Sequence, residues 1–291
     1  LRAIEEVLGS EIATPEVLKA WGAAYQQLAD ILIGAEEGLY QQKEQANGGW
    51  RGARAFTLVE RVEESAEVVS FYFAPVDGQP VLVAEAGQYI GLQLVIDGVE
   101  QRRNYSLSTL GDGRLYRISV KREAGGKVSN YLHDQFKVGE RINLFPPAGD
   151  FTLAASDKPL VLISGGVGIT PTLAMLDKAL ESGRQIHFIH CARNGGVHAF
   201  REHVDALAAR NPQLKRFYSY DEDDGVSLPG DALGYLSEAQ LGQWLPQERD
   251  LDAYFLGPKP FMAAVKRHLQ ALGVPEGQSR YEFFGPASAL E

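Results

Sequence analysis

Three textures of apolar and polar positions follow one another along the chain. Over residues 1–46 the apolar side chains recur at helical spacing. Thr14-Pro15-Glu16 reads as a helix start: a capping residue, a proline suited to the first helical position and an acid suited to the helix dipole. After it Trp21, Ala24, Tyr25, Leu28, Ile31 and Leu32 fall on one stripe. The segment QANGGW at 45–50 breaks the period and predicts a linker over 47–52. From 53 to about 152 the texture becomes short alternating runs: AFTLVERV, EVVSFYFAP, QYIGLQLVI, LYRISVKR and RINLFPPAGDF. With RRNYSLS at 102–108 as a further strand, these predict an antiparallel β-barrel of about six strands, interrupted by one short helix near KVSNYLHDQ. From 157 onward the strands PLVLIS, QIHFIHCA, KRFYSY, AYFLG and RYEFF alternate with helices near 171–182, 198–210, 237–245 and 260–272. That alternation predicts a doubly wound parallel sheet. The expected domains are thus a helical segment over 1–46, a barrel over 53–156 and an α/β domain over 157–291.

Composition narrows the function. The 291 residues suffice for two ordinary domains, and a net charge of −10 argues against a nucleic-acid partner. Any bound anion must be held by local features such as helix N-termini. Cys191 is the only cysteine, which removes an internal disulfide and makes a reducing cytoplasm the expectation. No apolar run reaches membrane-spanning length, and no signal-peptide pattern opens the chain. The first residue is Leu1 rather than methionine, so the expectation is a fragment of something longer.

Three local patterns carry candidate chemistry, and each also has an ordinary structural explanation. In ISGGVGITP the glycines Gly165, Gly166 and Gly168 let a strand turn sharply, and Pro171 is placed to start the next helix, so a pyrophosphate could meet its free amides. In RRNYSLS, Arg103 and Tyr105 lie two apart on one strand and share a face, with Ser106 beside them: a phosphate partner, a ring to stack on and a hydroxyl. In GGKVSNYL, Gly125, Gly126, Lys127, Val128 and Ser129 open a short helix whose amides and hydroxyl could receive phosphate oxygens. The order of these elements, more than any one of them, suggests two dinucleotide sites.

That order resembles the ferredoxin–NADP reductase superfamily over 53–291. GQYIG, RNYS, VKREAGGKVSNYLHD, PAGDF, GGVGITPTLAML and YEFFGP, preceded by LKAWGAAYQQLADILIGAEEGLY, are similar to the flavohaemoglobins. The resemblance makes residues 1–46 the last two helices of a truncated globin. It implies FAD in the barrel and NADH (or NADPH) on the parallel domain, with electrons passing to a haem b present only in the intact parent, a nitric oxide dioxygenase. By position, Tyr89 and Arg103, Asn104, Tyr105 and Ser106 would contact FAD, with Ser106 near its reacting nitrogen. Gly126–Ser129 would form the barrel's phosphate turn. Phe283, Phe284, Gly285 and Pro286 would close over the same flavin, and Glu282 would tune its potential. Gly166, Val167, Gly168, Ile169, Thr170 and Pro171 would hold the nicotinamide nucleotide. Glu36 matches the family's acid of the proximal haem relay.

Departures temper this. The globin's haem-binding histidine would lie upstream, so no haem or metal is expected here, and Leu256 and Phe283 stand where a thiol is frequent. Arg193 could accept a 2′-phosphate, yet neither an aspartate nor a second base is visible beside it, and NADH is the expected donor. The exposed stripe of the first helix suggests a homodimer. The alternatives are a stand-alone flavin reductase feeding a ferredoxin or oxygenase, and a non-catalytic flavin-binding module.

Overall fold

The computed structural model describes residues 2–284, which fall into two compact units, one ending at Arg51 and the other beginning at Gly52. The first unit holds α1 (Arg2–Leu8) and α2 (Pro15–Gln45). Thr14 caps α2, its hydroxyl accepting the Val17 amide at 3.4 Å, and Pro15 opens the helix. Neither helix buries a side chain; Trp21, Tyr25, Leu28 and Leu32 stand exposed along one stripe.

In the second unit β1 (Arg54–Glu63), β2 (Val68–Pro75), β3 (Tyr89–Ile96), β4 (Val99–Ser106), β5 (Tyr116–Lys121) and β6 (Arg141–Leu144) form one antiparallel sheet in the order β4-β3-β6-β1-β2-β5. It closes on itself just past β4, where Leu107 bridges Ile118 and the Ser108 amide donates to Arg117 O at 3.1 Å. Phe56, Phe71, Phe73, Leu92 and Ile118 fill the interior. α3 (Lys127–Asp134) packs Val128 and Leu132 inward and ties His133 Nε2 to Val120 O at 2.8 Å.

The chain then builds β7 (Leu160–Gly165), α4 (Ile169–Leu180), β8 (Ile186–Ala192), α5 (Arg201–Arg210), β9 (Leu214–Tyr220), β10 (Ala232–Leu233), α6 (Glu238–Trp244), β11 (Asp252–Leu256), α7 (Lys259–Ala271) and β12 (Ser279–Tyr281). The strands make a parallel sheet ordered β10-β9-β8-β7-β11-β12. Alternate residues of β7 feed opposite cores: Leu160 and Leu162 join α4 and α5, while Val161 and Ile163 join α6 and α7. The antiparallel barrel and doubly wound sheet are the architecture the pattern predicts. Two details differ. α4 begins at Ile169 behind a 3₁₀ turn over Gly166–Gly168, so Pro171 is its third residue rather than its first. The last strand ends at Tyr281, leaving Glu282–Phe284 outside the sheet.

The order of the sheet reverses between β7 and β11, and in such sheets ligands settle beyond the carboxyl ends of the strands at that point. The segments around the barrel meet the α/β half at α4 and β11. Gly87 (φ +107°) runs so close to the segment after β6 and to α4 that an added Cβ would lie 2.1 Å from Phe151 O and 2.6 Å from Met175 Cε. Phe151 packs edge-on to Tyr254 of β11 at 5.6 Å, and the Tyr254 hydroxyl accepts the Ala154 amide at 2.9 Å.

Candidate active site

The barrel's half of the site is β4. Its register with β3 sets Tyr105 opposite Ile90 and Arg103 opposite Leu92, so the two share a face, while Ser106 pairs with Tyr89 and Asn104 with Gly91 on the other. Arg103 and Asn104 are exposed, Tyr89 and Tyr105 half-buried, and Ser106 buried. Arg103 donates only to the Arg102 carbonyl and has no carboxylate partner among the described residues. The hydroxyls of Tyr105 and Ser106 likewise bond to no described residue. Ser108, two residues on, shows the contrast: its hydroxyl is held by Arg117 Nε at 2.9 Å and Ser119 Oγ at 2.7 Å. Burial pushes the Tyr105 phenol up to about 12, against the pull of Arg103, so it stays protonated as a donor. A guanidinium and two unspent hydroxyls on one short strand fit a flavin dinucleotide, which offers a pyrophosphate and a polar ring edge.

α3 starts beside this strand: Lys127 reaches Asp97, in the β3–β4 hairpin, at 3.4 Å. Its first intrahelical bond runs from Asn130 N to Gly126 O at 3.2 Å, leaving the amides of Lys127, Val128 and Ser129 without intrahelical acceptors. The Ser129 hydroxyl is committed to the turn itself, accepting from Glu123 N at 3.2 Å, so the backbone rather than that side chain is open to a phosphate.

The parallel half centres on the β7–α4 turn. Gly166 adopts φ +54°, a conformation that favours glycine, and an added Cβ on Gly168 would lie 2.5 Å from Leu256 O at the end of β11. Thr170 spends its hydroxyl on Val167 O at 3.0 Å, and Ile169, Thr170 and Pro171 are buried. These three therefore set the turn's shape, while Gly166 and Val167 face outward. Beyond the turn opens a cleft of about 670 Å³ whose walls come from both halves: Gly165–Val167, Cys191–Arg193, Asp221 and Phe261 from the sheet, and Glu67, Val68 and Lys121 from the barrel.

Several lining groups were not foreseen from the sequence. Asp221 and Lys121 do accompany Arg193, contrary to the expectation that no acid or second base stands there; β9 and β5 deliver them from distant parts of the chain. Glu67 donates no sequence signal, yet its Oε1 accepts Arg193 Nη2 at 2.6 Å. Phe261 lies under both Gly165 and Gly257, where added Cβ atoms would meet its ring at 3.0 and 2.6 Å. Glu282 is half-buried outside β12, its carboxyl raised above the ordinary range by burial and by the charge of Asp150. Phe283 packs edge-on to Tyr281 at 5.8 Å and Phe284 is exposed; Gly285 and Pro286 lie outside the described residues. Glu36, on exposed α2, accepts the Tyr40 hydroxyl at 3.1 Å. His133 and His187 are packed, the latter against Trp244 O.

Known proteins agree with this division. Residues 55–153 match an oxidoreductase FAD-binding domain and residues 162–267 an oxidoreductase NAD-binding domain. The chain is 76% identical over its whole length to a flavohemoprotein of Pseudomonas putida and 64% identical to one of Pseudomonas aeruginosa, spanning 74% of each. Among solved structures, the FAD/NAD-binding domain of a Vibrio cholerae nitric oxide dioxygenase matches at 38% identity and TM-score 0.74, covering 81% of this chain and all of that one. A flavohemoglobin of Malassezia yamatoensis, solved with bound FAD and heme, matches at 29% identity and TM-score 0.83 over 97% of this chain and 72% of its own. With a closed barrel, a switch-point cleft and identity of this extent, the chain belongs to the flavohemoprotein family.

Proposed function

We propose that the chain is the FAD-containing, NAD(P)H-oxidising reductase part of a flavohaemoglobin. FAD, when bound, would supply the redox chemistry of hydride acceptance from a nicotinamide and single-electron transfer to a haem acceptor, which in the whole protein would serve the conversion of nitric oxide and oxygen to nitrate. The residues of this chain bind and align. Arg103 and the open amides of Lys127, Val128 and Ser129 offset the flavin's pyrophosphate. Tyr89 and Tyr105 flank the ring, and the Ser106 hydroxyl donates to its polar edge. Glu282 and Phe283, beside the last strand, border the same ring. The Gly166–Gly168 turn receives the nicotinamide nucleotide at the switch point, so that the two cofactors meet where barrel and sheet share a wall.

The observation that carries this reading is the presence, in one compact unit, of a set of unspent donors on β4 and of a switch-point glycine turn that opens on a cleft walled by both barrel and sheet. No helix among the described residues is long and apolar enough to cross a membrane, and we assign the protein to the cytoplasm. We further propose that a second copy of the chain covers the exposed α2 stripe; a strictly monomeric mass in light scattering would contradict that. The purified protein is expected to retain FAD through gel filtration and to show no intense haem band. Failure to retain added FAD would overturn the functional reading.

A further inference from the structure

The cleft's cations are already engaged. Glu67 stands in the hairpin between β1 and β2, its carbonyl held by the Arg122 amide at 2.8 Å and its own amide directed at Ser65 Oγ at 3.4 Å. The neighbouring Ala66 amide donates to Gly196 O at 3.1 Å, so the hairpin is anchored to the loop that carries Arg193. From this fixed backbone the Glu67 carboxylate reaches both basic groups of the wall: Oε1 lies 2.6 Å from Arg193 Nη2, and Oε2 lies 4.0 Å from Lys121 Nζ. Asp221 lines the same wall.

In the proposed nucleotide site, with the pyrophosphate at the Gly166 turn, the adenosine end would run along the cleft wall formed by Cys191–Arg193 and Asp221 at the ends of β8 and β9. NADPH differs from NADH there by one phosphate, which needs a free cation. We propose that Glu67 is the selectivity residue of the cleft: by holding Arg193, while Lys121 is shared with Glu123 at 3.5 Å, it denies a 2′-phosphate its nearest partner and sets a carboxylate where that phosphate would come. A neutral ribose hydroxyl meets no such conflict. A residue of the flavin barrel thus decides which nucleotide the other domain accepts.

The inference depends on the proposed nucleotide site, and the test separates the two. Wild type, Glu67→Gln and the double variant E67Q/R193M are titrated calorimetrically with adenosine 5′-monophosphate and adenosine 2′,5′-bisphosphate, the adenosine halves of NADH and NADPH. E67Q should raise the affinity for the bisphosphate relative to the monophosphate about tenfold, with strong salt dependence, since the exposed Arg193 guanidinium, released from its partner, is free to pair with the added phosphate. The double variant should lose the gain. An unchanged ratio in E67Q overturns the proposal while leaving the nucleotide site standing. A wild-type protein that binds neither the monophosphate nor NADH overturns that site, and the proposal with it.

Discussion

Gly168 and Leu256 approach so closely that an added Cβ would stand 2.5 Å from the leucine's carbonyl oxygen. This contact seats the β7–α4 turn on the end of β11 and fixes the angle at which its amides face the cleft. Backbone atoms cannot yield as a flexible side chain does. Gly168→Ala is therefore expected to destabilise the fold by about 1–3 kcal/mol through overpacking and to raise the KM for NADH, checked by thermal melts and steady-state assays.

Arg103 has no carboxylate to satisfy, so its removal should affect the ligand and leave the barrel intact. Arg103→Ala is expected to weaken FAD binding by roughly tenfold to a hundredfold, the range of one charge-assisted hydrogen bond, with an unchanged melting temperature of the flavin-free protein. Fluorescence titration of FAD measures it.

Asp252 sits buried at the start of β11 with Arg184 at 2.9 Å and Arg280 at 3.0 Å. Burial works to raise its carboxyl, but hydrogen bonds from Ser156, Arg280 and Arg184 prevail and hold it below the ordinary value of 3.8. A carboxyl depressed in the fold contributes stability above that value and loses it as pH falls through the folded pKa. Asp252→Asn should cost about 3 kcal/mol at neutral pH, because it strands the buried Arg184, and should flatten the acid limb of the stability profile below about pH 4. Urea unfolding across pH provides the check.

Asp177 on α4 has the opposite sign. Burial pushes its carboxyl up to about 6, with Arg117 of the barrel only partly opposing. Its ionised form is disfavoured in the fold, so stability falls as pH rises between about 4 and about 6. Asp177→Asn should stabilise the protein by about 1–2 kcal/mol above that window and change little below it, again by urea unfolding.

What the sequence made legible was local. The Thr14-Pro15 helix start, the period of two in the barrel runs and the Gly165–Pro171 turn each announce themselves within a few residues, because caps, pleats and tight turns are satisfied by near neighbours. Barrel closure through Leu107 and Ile118, and the two-residue β10, carry no such signal. The cleft's charge balance was the least visible. Glu67 and Arg193 are 126 positions apart, and only the packing of barrel against sheet brings them together. The same distance effect hid Lys121 and Asp221 beside Arg193. For Ser129 the pattern named the right helix end, but an internal turn bond had claimed the hydroxyl.

Anaerobic addition of NADH to the FAD-loaded protein, followed by absorption, is the most direct test that barrel and sheet align two redox nucleotides. The expected result is prompt loss of the oxidised-flavin band and its return on admitting air. A protein that holds FAD yet keeps that band unbleached under excess NADH or NADPH would contradict it.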